Sequence, residues 1–114
     1  MSVYLKRYCG TRIYEIRDGR VSDYCGAPIF EIKRNQVWRY CSSPKYSFDD
    51  RYISDYCGPR ILEFDGKYLK RYCGQYLYEW TGRYIKQYCG QYLYEVEGEL
   101  TREELMGLFA ILFA

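Results

Sequence analysis

Six cysteines are the residues of this sequence best suited to chemistry, and they recur every 16 residues. Thiolates bind zinc and form disulfides, but a disulfide needs Cα atoms within about 7 Å. Equivalent positions of neighbouring β-hairpins lie about 9.6 Å apart, and only convergence on a ring axis would bring them closer. The chain has no histidine, so we expect no metal or other cofactor and interpret the thiols as small, buried packing residues. They are Cys9, Cys25, Cys41, Cys57, Cys73 and Cys89.

Glutamates form a second series with the same period. An active site needs carboxylates with different roles, whereas a carboxylate repeated in five units serves the repeat itself. Arg7, Arg39 and Arg71 offer cross-strand ion-pair partners. We therefore predict no catalytic residue and no enzyme activity. The series is Glu15, Glu31, Glu63, Glu79 and Glu95.

Basic charge is the one asymmetric feature of the sequence. The net charge is only +2, but the first and the last two repeats hold nine Lys and Arg against five acids. If the repeats close into a ring, these cations form a continuous arc suited to single-stranded nucleic acid or another anionic polymer. A solvated charged face is the competing interpretation. The residues of the predicted anion-binding face are Lys6, Arg7, Lys67, Lys70, Arg71, Arg83 and Lys86.

The elements that position these residues are set by the 16-residue period. Counted from Val3 as position one, six units run 3–18, 19–34, 35–50, 51–66, 67–82 and 83–98. Apolar residues alternate within each unit, and glycines close turns between units, as at Asp18-Gly19, so each unit predicts a β-hairpin and the whole predicts twelve strands of about five residues. Each cysteine follows a signature tyrosine: Tyr8, Tyr24, Tyr40, Tyr56, Tyr72 and Tyr88.

Unit three departs from the pattern. It has Ser42 where the other units have glycine, Lys45 at the apolar position eleven, and Pro44, which removes a backbone donor. A partner-docking face and relaxed constraint in a surface loop are both consistent with these changes.

After Gly98 the period ends and a helix is predicted. Thr101 and Glu104 form a capping box, and the following residues are apolar on every side, so the helix must be buried. At 1.5 Å per residue it is too short to cross a membrane. It packs against its own sheet or against a second subunit, which would make a homo-oligomer. Its predicted core residues are Leu105, Leu108, Phe109 and Leu112.

Constant unit length and the end of the repeat after six copies favour closure of the sheet over an open ribbon. We therefore predict an all-β fold: six tandem 16-residue β-hairpin repeats in a closed or strongly curved antiparallel meander. One C-terminal apolar α-helix covers or plugs a mouth of the ring. The chain is a single domain, 1–114, with hairpins over 3–98 and the helix over 99–114.

The hairpin Tyr78-Glu79-Trp80-Thr81-Gly82 and the segment from Tyr84 to Tyr88-Cys89-Gly90 resemble the short hairpin repeats of four-fold β-flower proteins. They are less closely similar to membrane occupation and recognition nexus repeats. The resemblance implies an all-β scaffold and carries over no catalytic residue. The N-terminus MSVYLKRYCG lacks the apolar core of a signal peptide, which favours a cytoplasmic protein. We predict a tyrosine-rich structural or protein-interaction module, with anionic-polymer binding as the alternative.

Overall fold

The repeats form a closed, twelve-stranded antiparallel barrel in the computed structural model, which describes residues 3–113. Strands follow one another around the ring in chain order, and the last pairs with the first. The strands are β1 Val3–Arg7, β2 Arg12–Arg17, β3 Arg20–Asp23, β4 Pro28–Lys33, β5 Gln36–Arg39, β6 Pro44–Phe48, β7 Tyr52–Asp55, β8 Arg60–Phe64, β9 Tyr68–Arg71, β10 Tyr76–Trp80, β11 Tyr84–Gln87 and β12 Tyr92–Glu97. The helix α1 follows at Arg102–Phe113.

The sequence predicted a closed or strongly curved sheet, and the structure confirms that it is closed. Leu5 on β1 lies opposite Val96 on β12. The N–H of Tyr8 donates to the carbonyl of Leu93 over 3.0 Å, and the rings of Tyr8 and Tyr92 stack at 5.0 Å. A closed sheet has no free edge for another strand to extend.

A β-bulge at position eleven repeats around the barrel. On β2, Tyr14 lies opposite Leu5 and Arg12 opposite Lys6, so Ile13 is the extra residue. Its carbonyl accepts a hydrogen bond of 3.0 Å from the N–H of Tyr24 in the next unit. The signature tyrosine of each unit makes the same backbone bond to the preceding unit. In unit three the extra residue is Lys45, whose carbonyl accepts from Tyr56.

The core lies inside the ring, and two inward positions of each unit make up most of it. Position three on the odd-numbered strands is at most 1% exposed in every copy. Position fourteen on the even-numbered strands is bulkier and varies from valine to tryptophan. The position-three residues are Leu5, Val21, Val37, Ile53, Leu69 and Ile85. The position-fourteen residues are Ile16, Ile32, Phe48, Phe64, Trp80 and Val96.

Helix α1 plugs the lumen of this barrel, as predicted from its apolar surface. The ring of Phe109 meets Phe64 at 4.9 Å and Trp80 at 6.2 Å. On the opposite side Gly107 lies so close to Ile32 that an added Cβ would come within 2.6 Å of its side chain. The predicted core residues Leu105, Leu108 and Phe109 are buried and Leu112 is half-buried. Along residues 3–113, no helix is long and apolar enough to cross a membrane.

The predicted capping box opens the helix. The Glu104 N–H donates to Thr101 Oγ1, and the Thr101 N–H donates to Glu104 Oε1, both over 3.1 Å. Glu104 Oε2 also accepts the Gly19 N–H over 3.1 Å, and Glu103 Oε2 accepts the Asn35 N–H over 2.8 Å. These bonds tie the start of the helix to the turns that join one unit to the next. We call the end of the barrel formed by these turns the helix rim.

Candidate functional site

The opposite end of the barrel, which we call the thiol rim, consists of the six turns within the units. In the first turn the Gly10 N–H donates to the Arg7 carbonyl over 2.9 Å, and Cys9 has φ 53°. All six cysteines have φ between 53° and 59°. Residues other than glycine and asparagine rarely adopt this left-handed backbone conformation. Because the cysteine carries the positive φ, Ser42 can replace glycine in unit three and still bond to Arg39 over 3.0 Å.

The interpretation of the cysteines as buried packing residues is wrong. Each one is a free thiol, exposed to solvent, because it sits at the tip of a turn beyond the last residues of the strands. Between Val3 and Phe113, no group of three or more His, Cys, Asp and Glu side chains is placed to hold a metal ion. The six thiols thus stand as separate groups around one rim.

Eight exposed tyrosines surround the outer wall next to this rim. They are the only large hydrophobic side chains among residues 3–113 that are highly exposed, at 37–45% of their surface. Six are the signature tyrosines, and two stand at position ten, where the sequence analysis assigned no role. We call this set the tyrosine collar: Tyr8, Tyr24, Tyr40, Tyr56, Tyr72, Tyr76, Tyr88 and Tyr92.

The collar is organised at the junctions between units. Where unit six meets unit one, Tyr8 contacts Tyr84 at 5.7 Å and Tyr92 at 5.0 Å. An equivalent triad joins units five and six. At two other junctions an arginine replaces the position-ten tyrosine, and the Arg12 guanidinium lies 4.0 Å from the ring centroid of Tyr4 and 5.6 Å from that of Tyr24. The second triad is Tyr68, Tyr76 and Tyr88.

Two of the cysteines act electrostatically on the collar tyrosines beside them. The negative charge and hydrogen bonding of Cys9 raise the pKa of Tyr8 above its ordinary value, and Cys89 does the same to the pKa of Tyr88. The phenols are therefore neutral hydrogen-bonding groups near neutral pH.

The glutamate series lies on the outer wall, where Glu31, Glu63, Glu79 and Glu95 form ion pairs. The Glu95 carboxylate contacts Arg83 at 2.6 Å and Lys6 at 3.8 Å, and Glu63 contacts Arg51 and Lys70. The prediction that Arg7, Arg39 and Arg71 at position five pair with the glutamates is wrong. Position five shares the inward face with positions three and twelve, as the register Arg7 to Tyr94 shows, whereas the glutamates point outward.

Most of the predicted anion-binding face forms ion pairs with these glutamates, although each carboxylate is shared by two cations. Five of its seven cations form ion pairs with them, whereas no ion pair among residues 3–113 includes Arg7 or Arg71. Those two lie at the mouth of the barrel instead. The structure therefore divides the seven residues between two surfaces. The paired cations are Lys6, Lys67, Lys70, Arg83 and Lys86.

Position five forms a ring of alternating charge around the mouth at the thiol rim. In order around the barrel its residues are basic, acidic, basic, acidic, basic and neutral. Burial raises the pKa of the inward-facing Tyr46, Asp55 raises it further and Arg39 lowers it, so both charges lie near this phenol at the mouth. We call this set the charge ring: Arg7, Asp23, Arg39, Asp55, Arg71 and Gln87.

Comparison of the chain with protein-family models, with curated proteins and with solved structures finds no match. The resemblance to β-flower and nexus repeats therefore stays a prediction.

Proposed function

We propose that this protein is a non-catalytic repeat scaffold that binds protein partners through the tyrosine collar. The observation that carries the proposal is the exposure of eight tyrosines around one end of the barrel, with no comparable aromatic exposure elsewhere in residues 3–113. Exposed aromatic groups that share one surface are typical of interaction sites. Tyrosine is enriched at binding hot spots because its ring packs against apolar groups while its hydroxyl forms hydrogen bonds.

The rigid backbone beneath the tyrosine collar favours a role in binding. Each collar residue at position six has its backbone N–H bonded to the neighbouring unit, as Tyr72 bonds to the Ile61 carbonyl over 2.9 Å. The sheet is closed and the lumen is filled by α1, so the backbone that carries the rings is held in place before any partner arrives. Such preorganisation reduces the entropy lost on binding.

The test removes three adjacent collar rings: Tyr40→Ser, Tyr56→Ser and Tyr72→Ser. Partners captured by the full chain are identified, purified and titrated against the variant. A matched control carries Arg17→Ser, Asp50→Ser and Glu99→Ser, three exposed residues at or beside the helix rim. We expect a loss of about 10-fold or more in affinity for the collar variant only. Equal affinity of both variants for every partner would contradict the proposal.

A second candidate is binding of single-stranded nucleic acid or another anionic polymer by repeats five, six and one. Both tyrosine triads lie at these junctions, and Lys70 and Lys86 lie 5.6 Å and 5.5 Å from the ring centroids of Tyr76 and Tyr92. Proteins that bind single-stranded nucleic acid typically place aromatic rings, on which the bases stack, beside cations that contact the phosphates. The ion pairs with glutamate weaken this candidate.

Titration with a single-stranded oligonucleotide at increasing salt tests it. Binding through phosphates gives a steep dependence on salt, about −0.7 in log–log slope for each phosphate contact. Lys70→Gln with Lys86→Gln should lower both affinity and slope, whereas Lys33→Gln with Lys45→Gln, in units two and three, should lower neither. An affinity that does not change with salt, or no binding at all, would exclude this candidate.

A further inference from the structure

The charge ring is a set of repeated charges whose members form no ion pair among residues 3–113. Its neighbours, such as Asp23 and Arg39, belong to adjacent units and are separated by two strands, about 9.6 Å. Among residues 3–113 these side chains form no salt bridge with one another. They are exposed at the mouth, where charged groups from outside the barrel can reach them.

The order of the charges makes the ring complementary to itself. Consider a second copy facing the first across a two-fold axis that lies in the plane of the rim and passes between two neighbouring units. Such an axis exchanges odd-numbered with even-numbered units, and therefore places every arginine opposite an aspartate or the single Gln87.

An axis between units one and two illustrates the match. Arg7 faces Asp23, Asp55 faces Arg71 and Arg39 faces Gln87, and each contact occurs twice by symmetry. Axes between units two and three and between units three and four give equivalent sets, again with no like charges opposed. An axis through the middle of a unit would instead oppose like charges, so the ring also selects the rotation of one barrel against the other.

We propose that the thiol rim is the interface of a face-to-face homodimer, with the charge ring at its centre. The inference rests on the proposed role as an interaction module, but on residues other than the collar. The barrel is 36 × 35 Å across its two longest axes and 17 Å along the shortest. Its end face therefore offers an area on the order of 1,000 Å², compared with about 800 Å² for each partner in a standard interface. Two-fold dimers are also the commonest symmetric assembly.

The thiols provide a covalent alternative that the experiment must separate. Because the same axis places each unit of one copy opposite a unit of the other, the cysteines of the two copies also face each other across the interface. An oxidised preparation could therefore be linked by disulfides whether or not the charges bind. All measurements are accordingly made on the full chain in reductant.

Sedimentation measures the mass of the wild-type chain, 13.8 kDa for one copy. We expect twice that mass at about 0.05 M salt and a shift towards monomer at about 0.5 M, since salt screens exposed charges. Asp23→Arg with Asp55→Arg makes all five charged positions of the ring basic and should weaken the dimer roughly 100-fold, because like charges then oppose each other. Asp50→Arg with Glu99→Arg makes the same change of net charge away from the thiol rim and should leave the dimer intact.

A reciprocal variant keeps the proposal falsifiable. Arg7→Asp, Arg39→Asp and Arg71→Asp make the ring wholly acidic, so this variant should also be monomeric alone. Mixed with the basic variant, it should form a heterodimer at least as stable as the wild-type dimer. Circular dichroism and thermal melting establish that each variant is folded.

A wild-type chain that is monomeric at low salt, or dimeric only without reductant, would overturn the proposal. Two charge variants that both still dimerise, or that do not bind each other, would also overturn it. The collar variants test partner binding separately. Failure of the dimer would leave that test unchanged, and loss of partner binding would not affect the dimer.

Discussion

The two rims of the barrel are built from the same six repeats and yet differ in regularity. At the thiol rim every turn has the same backbone bond from position eight to position five, and every cysteine the same φ within a few degrees. At the helix rim the turns fall into two kinds. Asp18-Gly19 and Arg34-Asn35 have two residues at positive φ, as in type I′ turns, whereas Asp49 and Asp65 close their turns with side-chain bonds to backbone N–H groups.

Helix α1 breaks the symmetry of the helix rim. A single helix cannot present the same surface to six units, so it contacts the two kinds of turn through different groups. Its acidic first turn accepts the N–H groups of Gly19 and Asn35, and Arg102 donates to the Asp50 carbonyl over 2.7 Å. The thiol rim lies at the other end and keeps the symmetry of the sequence. This regular rim is the surface that we propose as the homodimer interface.

Removal of the helix should have a larger effect on the barrel than any substitution at either rim. Deletion of residues 100–114 exposes the apolar inward positions around the whole lumen, so we expect insoluble protein. Solubility and light scattering measure the outcome, with Glu99→Ser as the control for changes just before the helix. A soluble, monomeric truncation with an unchanged melting transition would contradict a role of α1 in the core.

Glycines at the helix rim should differ according to their contact with the rest of the barrel. Gly19 has φ 81°, and an added Cβ would lie 2.4 Å from the Ile32 carbonyl oxygen, whereas Gly66 has φ 108° with nothing within 4 Å. Gly66→Ala costs the left-handed strain alone, about 1–2 kcal/mol. Gly19→Ala must also displace backbone, so we expect a loss of about 3 kcal/mol or more. Urea denaturation of the two variants measures the difference, and equal losses would show that the close approach is unimportant.

Acid should weaken the turns that are closed by aspartate. Burial raises the pKa of Asp49, but the backbone donors of Tyr52 and Arg51 outweigh it and leave the pKa below its ordinary value; Asp65 is lowered in the same way. A carboxylate with a lowered folded pKa contributes stability above its unfolded pKa, about 3.9, and this stability is lost as pH falls through the folded value. Between pH 6 and pH 2 the wild type should therefore lose more stability than Asp49→Asn with Asp65→Asn. Equal slopes in urea midpoint against pH would contradict this assignment.

Substitutions at the tips of the thiol rim should have the smallest effect. Asparagine tolerates the left-handed conformation better than other residues, so we expect Cys73→Asn to change the free energy of unfolding by less than about 0.5 kcal/mol. Cys73→Val, which introduces a β-branched side chain at the same φ, should cost about 1–2 kcal/mol. All six thiols should react with a thiol reagent in the folded, reduced monomer, because each is exposed. Protection of the thiols in a monomer would contradict their placement.

The period of the sequence was enough to predict the hairpins and the capped helix, and it favoured a closed or strongly curved sheet over an open ribbon. Twelve strands appear where the alternation of Leu5, Tyr14 and Ile16 requires an inward face. The sequence could not show that Cys9 carries the positive φ of its turn, because glycine at the next position is the usual residue for that role. It also misplaced the partners of the glutamates, since the bulge at Ile13 shifts the register that a simple alternation predicts.

The charge ring was present in the sequence as an alternation at position five and was overlooked because it has twice the period of the repeat. Arg7 and Asp23 lie 16 residues apart, and their signs average out in any single-unit consensus. Only the closed topology shows that these residues share one mouth. The tyrosines at position ten were missed for a similar reason, since they occur in two units only, as Tyr76 and Tyr92.

Because β1 pairs with β12, the arrangement of the units around the barrel does not depend on which unit comes first in the chain. Gly98 lies beside Val3, with 3.2 Å between the position of an added Cβ and the valine Cγ2. A circularly permuted barrel could therefore join these points and open at another turn, such as Gly66, while every strand keeps its neighbours. The helix alone distinguishes one starting point from another, because its tether fixes which turns it meets.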